Sequence, residues 1–202
     1  MPAFVKTLSG ALAAAILFYC AAHAAPPVAN WTGSWASSQQ IPEPRNALDP
    51  ADLTDATLRQ IVHLTIGGRE LRVRLSNAFG TEPLRIASVH IALPSSRSTG
   101  GIDVSTDRAL TFSGSPDVTI PAGADYFSDP VAFDAKPLSD LAVSMYLEAA
   151  PAQQTSHPGS RATSFLVHGN LVSAEDLSNA KQVDHWYELS GVDVAARAAA
   201  SA

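Results

Sequence analysis

Turn chemistry at short intervals constrains this sequence more than any other feature. Apolar or alternating runs recur at 59–66, 69–76, 84–93, 109–112, 117–120, 126–133, 141–147, 162–167 and 186–194, separated by Gly, Pro, Asp and Ser. Runs of this length with period two are strands that bury one face. No amphipathic helical period occurs beyond the N-terminus, and no fixed-period repeat is present. Many short strands between turns predict an all-β fold, an antiparallel β-sandwich or jelly-roll-like single domain. The 202 residues allow one such domain, and 14 Pro with only 16% charged residues fit a turn-rich globular chain.

The N-terminus has a different pattern. Lys6 precedes an apolar run over 11–20, which is followed by Ala22-His23-Ala24. A base, a short apolar run and a small-x-small site predict a signal peptide over 1–24, cut near Ala24, and a secreted or periplasmic protein. The run falls short of the roughly 20 residues of a membrane span, and Tyr19 ahead of Cys20 argues against lipidation. Cleavage there removes the one Cys, so the domain must rest on its core and not on a disulfide. Residues 25–57, rich in Pro, Ser, Asn and Asp, read as an ordered arm packed on a β-sandwich domain over 58–194. One helical turn is expected near 52–58 with Thr54 as its N-cap. Residues 195–202 read as a truncated Ala-rich linker.

Gly67-Gly68 between two strand-like runs predicts a tight hairpin. That turn would pair Leu64 with Leu71 and Val62 with Val73 on one face, and His63 with Arg72 on the other. His63 is then a surface strand residue. Arg59, Arg69, Arg72, Arg74 and Arg85 read as a solvated outer strand face diluted by Glu70 and Glu82.

Local catalytic signals are absent. The sequence holds no Gly-x-Ser-x-Gly, Gly-Asp-Ser, Walker loop, His-Glu-x-x-His or Gly-x-Gly-x-x-Gly. No two His stand at metal-ligand spacing, so neither a metal nor any other cofactor is expected. The net charge of −6 argues against nucleic acid as a partner. His157 lies in a polar loop of the kind that often carries function, although Ser and His in such loops also cap backbone groups. Trp31, Trp35, Trp186 and Tyr187 read as core or interface aromatics, with a sugar-stacking platform as the alternative.

Trp31-Thr32-Gly33-Ser34-Trp35, the run from Leu58 to His63, and the run from Leu71 through Asn77 to Gly80 together resemble a known family. So do Ser156-His157-Pro158-Gly159-Ser160-Arg161 and the run from Trp186 to Val194. The set resembles the N-terminal region of secreted bacterial SGNH/GDSL-type hydrolases, an esterase and lipase family, from about 31 to 194. The resemblance implies a β-sandwich-like domain ahead of a catalytic α/β domain that supplies a Gly-Asp-Ser nucleophile, oxyanion donors and a late Asp-x-x-His. None of these blocks occurs in this sequence. No catalytic residue carries over, and the chain alone is expected to be inactive.

The expected role is therefore a non-catalytic domain that packs against, or shapes access to, an SGNH-type catalytic domain. The candidate interface or ligand-facing residues are Trp31, Trp35, Arg72, Arg74, Asn77, His157 and Arg161. A self-standing carbohydrate-binding module with a polysaccharide as partner is the second reading, and a weak hydrolase with a site near His157 the third.

Overall fold

The computed structural model describes residues 30–195, and the expected signal peptide and the tail beyond Ala195 lie outside the described residues. The strands are β1 (Trp31–Ala36), β2 (Ala56–Leu64), β3 (Gly68–Ser76), β4 (Leu84–Ile86), β5 (Ser88–Pro94), β6 (Ile102–Ala109), β7 (Val118–Ile120) and β8 (Asp125–Phe127). They continue with β9 (Val131–Ala135), β10 (Ser139–Leu147), β11 (Ser156–Pro158), β12 (Ser164–His168), β13 (Lys181–Val183), β14 (His185–Tyr187) and β15 (Leu189–Ala195). A five-stranded sheet runs β1-β15-β3-β8, with β9 also on β3, and a six-stranded sheet runs β13-β12-β2-β10-β5-β6. Strands β11 and β14 form one small ribbon and β4 and β7 another. Every pairing is antiparallel, and the fold is an all-β sandwich. Among the described residues no helix is long and apolar enough to cross a membrane.

Period two explains the core. Leu58, Val62 and Leu64 of β2 and Leu141, Val143 and Met145 of β10 point inward from the six-stranded sheet. Leu71, Val73 and Leu75 of β3 and Val192 and Val194 of β15 meet them from the other sheet. Each such side chain contributes about 1.5–3 kcal/mol by leaving water, which suits a domain without a disulfide.

The hairpin expected at Gly67-Gly68 does not form. β2 pairs with β10 and β12, whereas β3 pairs with β15, β8 and β9. The chain instead crosses between the two sheets at the glycines. Both runs have inward faces that meet one core, so their alternation is satisfied from opposite sheets as well as from one. The glycines are needed for close approach. A Cβ on Gly67 would lie 2.4 Å from the Ala135 carbonyl oxygen, and one on Gly68 2.8 Å from that of Ala195.

Other expectations shift with the partners. The segment read as an arm contributes β1, an edge strand whose Trp31 pairs with Ala195. The helical turn is a 3-10 helix at Pro50–Leu53, capped by the Asp49 carboxylate accepting from Ala51 N–H at 2.9 Å, and Thr54 ends it. The expected run at 84–93 divides into β4 and β5, and the run at 126–133 into β8 and β9. β6 is mostly exposed and shows no alternation, so sequence pattern missed it.

The outer face of the six-stranded sheet is not solvated. Ile61, Ala92, Ile102, Ala142, Phe165 and Leu177 form a second apolar cluster on that face. Residues 95–101 and 169–177 lie over it, held by Arg59, which is fully buried. Its Nε donates to Ser144 Oγ at 2.7 Å, one Nη to the Gly100 carbonyl, and the other to those of Leu171, Val172 and Ala174 at 3.3, 3.1 and 2.9 Å. Burial pushes the guanidinium down to about 10, against partial support from Asp107 and Asp176, so it stays charged at neutral pH. The expected solvated Arg face is therefore wrong for Arg59. Arg59→Ala removes the donor from four carbonyls, of which only that of Leu171 keeps another, the Ala174 N–H, and it should cost about 3 kcal/mol or more in urea unfolding. Arg59→Lys should recover only part, since an ammonium lacks the planar fork. Hydrogen exchange should rise first at 98–101 and 171–175, and unchanged stability would show that the clamp carries no weight.

Candidate functional site

The candidate residues fall into three places. Trp31, Arg72 and Arg74 share the outer face of the five-stranded sheet, where β1, β15, β3 and β8 lie side by side. The Arg72 guanidinium carbon is 4.7 Å from the Trp31 ring centroid and 4.2 Å from that of Phe127. Arg72 Nε and Nη2 donate to Asp193 Oδ2 at 3.1 and 2.8 Å. Arg74 lies 5.6 Å from the Phe127 centroid, donates to the Ser190 carbonyl at 3.2 Å, and packs over Gly191, where a Cβ would meet its Nη2 at 3.0 Å. Arg72 is thus held between two aromatic rings and Arg74 beside one of them, and these residues are half-exposed.

Trp35 and Arg161 belong to a different place, a cavity of about 340 Å³ at one end of β2. Trp35 and Trp186 meet edge to face with centroids 4.8 Å apart and planes at 84°, so they form a corner. Trp186 Nε1 donates to the Ile61 carbonyl at 3.1 Å, which fixes its ring. His157 stacks on Trp186 with centroids 5.6 Å apart and bonds through Nδ1 to the Ser38 carbonyl at 2.7 Å. It braces the aromatic corner and is not among the residues lining the cavity.

His63, Asp140 and Arg97 complete the wall. The register places His63 opposite Asp140, not Arg72, which corrects the pairing expected from the hairpin. His63 Nδ1 is 2.8 Å from Asp140 Oδ1 and 2.8 Å from Arg97 Nη2, and Arg97 Nε donates to Asp140 Oδ2 at 2.5 Å. Partial burial pushes the Asp140 carboxyl up, but the hydrogen bonds and charges of Arg97 and His63 outweigh it and leave it below its ordinary value. No sequence signal marked Arg97 or Asp140, because only the fold brings residues 63, 97 and 140 together.

Asn77 belongs to neither surface. It is buried, and its Nδ2 donates to the carbonyls of Glu82, Ile120 and Pro121 at 2.9, 3.0 and 3.2 Å. It ties two turns together and is not ligand-facing. Nor do the four aromatics form one platform. Tyr187 lies in the core with its hydroxyl donating to the Asn46 carbonyl at 2.8 Å, and burial raises its pKa.

Serine-hydrolase geometry is absent among the described residues. The partners of His157, His168 and His185 are backbone groups, and those of His63 and His90 are charged side chains. No Ser or Thr hydroxyl is hydrogen-bonded to a His, as a nucleophile and base require. No group of three or more His, Cys, Asp or Glu is placed to hold a metal. No family model matches the chain, and no curated protein matches it significantly.

One buried acid stands apart from both surfaces. Glu188 is fully buried at φ 53, and the Thr155 N–H reaches its two carboxyl oxygens at 3.1 and 3.3 Å. Burial raises its pKa well above the ordinary 4.5, and the Thr155 hydrogen bond offsets this only in part. The neutral acid's contribution is complete below the ordinary value and is lost as pH rises through the folded value. Glu188→Gln keeps the acceptor without the charge. The variant should gain stability over wild type as pH rises from 4 to 8, with little difference in acid, by thermal melts across that range. A constant difference would contradict the assignment.

Proposed function

We propose that this chain is the non-catalytic β-sandwich domain of a secreted SGNH/GDSL-type ester hydrolase, which packs against the hydrolase domain. The pairing of Trp31 with Ala195 carries the proposal. It sets Ala195, the end of β15, beside the Trp31–Arg72–Phe127 stack. Trp and Arg are the residues that most often anchor protein interfaces, and these are already held by Asp193 and Phe127. A side chain fixed before docking loses less entropy on binding.

The likeness over 31–194, the lack of a Gly-Asp-Ser block and, among the described residues, the lack of a hydroxyl paired with His all support a domain that positions without reacting. The apolar N-terminal run supports export.

Two assays test this reading. The purified protein should not hydrolyse p-nitrophenyl acetate above the buffer rate, and turnover abolished by His157→Ala would overturn the reading. Mixed with an SGNH-type catalytic domain, it should co-elute on gel filtration. Trp31→Ala and Arg74→Glu should each weaken that association at least tenfold while circular dichroism stays unchanged. Association indifferent to both substitutions would place the contact elsewhere.

A further inference from the structure

We propose that the Trp35–Trp186 cavity binds an acidic sugar, a pyranose ring bearing a carboxylate such as a hexuronate unit of a polysaccharide. The inference concerns a cavity whose lining residues include none of Trp31, Arg72, Arg74 and Phe127, and it stands whether or not a hydrolase domain docks on that face.

The chemistry of the walls selects this ligand class. The cavity of about 340 Å³ lies within the range of small-molecule sites. The two indoles stand perpendicular, offering a face and an edge. The C–H groups of a pyranose, which carry partial positive charge, pack on the negative face of such a ring.

A cation waits beside that corner. Arg161 is exposed, and among the described residues no hydrogen bond or ion pair holds its guanidinium. Its backbone is left-handed at φ 54, next to Gly159 at φ 71. The turn is kept in place by Gly159 N–H donating to His185 Nδ1 at 2.8 Å and Ser160 N–H to the Asp184 carbonyl at 3.0 Å. A strained non-glycine residue displaying a free cation into a cavity is the arrangement found at ligand clamps. A guanidinium fits a carboxylate through two parallel hydrogen bonds.

Hydroxyl recognition separates a sugar from a bare anion. Ser160 Oγ donates its proton to the Ala162 carbonyl at 2.8 Å, and Thr163 Oγ1 donates to Asp184 Oδ1 at 3.1 Å. With their protons given to the protein, these oxygens have only lone pairs to offer a ligand, one on Ser160 Oγ already taken by the Ala162 N–H at 3.3 Å, and lone pairs suit sugar O–H donors and repel sulfate or phosphate. Asp140 also lines the cavity, where it accepts from Arg97 Nε at 2.5 Å and lies 2.8 Å from His63 Nδ1. Arg97 is paired with Asp140 and the Asp184 carboxylate sits on Thr163, so the cation left to meet an anion at this cavity is Arg161. A carboxylate with neighbouring hydroxyls and an apolar ring face meets all three demands.

Titration of the purified protein with trigalacturonate, followed by tryptophan fluorescence and calorimetry, tests the proposal. Saturable binding is expected with Kd below about 1 mM, at least tenfold tighter than cellotriose or sodium sulfate. Arg161→Gly removes the cation and suits the left-handed backbone, so it should keep the thermal midpoint and lose at least tenfold in affinity. Arg97→Ala should also weaken binding, and Arg69→Ala, on another surface, should not. Cellotriose binding as tightly as trigalacturonate would overturn the acidic specificity, and sulfate binding as tightly would reduce the site to an anion site. Affinity unchanged in Arg161→Gly, or no signal up to about 10 mM, would overturn the proposal.

Discussion

The buried charge of Arg59 is the constraint on which the rest of the structure depends. A guanidinium without a contacting carboxylate is costly inside a protein unless its donors are met. Here they are met by Ser144 and by carbonyls of two separate segments, 95–101 and 169–177. Those segments cannot leave the sheet without exposing or orphaning the charge. Held down, they bury Ile61, Ala142 and Phe165 on a face that would otherwise be open. They also fix the base of the loop that carries Arg97 to His63 and Asp140, so the cavity wall is a consequence of the clamp.

Much of this fold was legible in the residues, because period two and turn chemistry report whether a run is a strand. They do not report which strand it pairs with. Leu64, Leu71 and Val73 face one core, and that fact is equally true of a hairpin and of two strands in opposing sheets. Arg59 illustrates the same limit. An Arg at an outward position of a strand reads as solvated until two distant segments fold over it.

The candidate residues divide along similar lines. Trp31, Arg72 and Arg74 do share a face, since all are outward positions of neighbouring strands. Trp35 and Arg161 come together around a cavity, while His157 turns out to brace Trp186 from outside it. Asn77 is consumed by backbone carbonyls and left no signal to separate it from a ligand-facing amide. The two surfaces also differ in what is satisfied. On the outer sheet face each cation already has an aromatic or acidic neighbour, which suits docking of a rigid partner. At the cavity Arg161 has no hydrogen-bond or ion-pair partner among the described residues, which suits a ligand.

A crystal structure of the protein soaked in trigalacturonate tests that distinction most directly. The predicted result is density for a pyranose in the Trp35–Trp186 corner, with its carboxylate against Arg161 and its hydroxyls toward Ser160, Thr163 or Asp140. Density on the Trp31–Arg72–Phe127 face with an empty cavity, or a carboxylate turned away from Arg161, would contradict it.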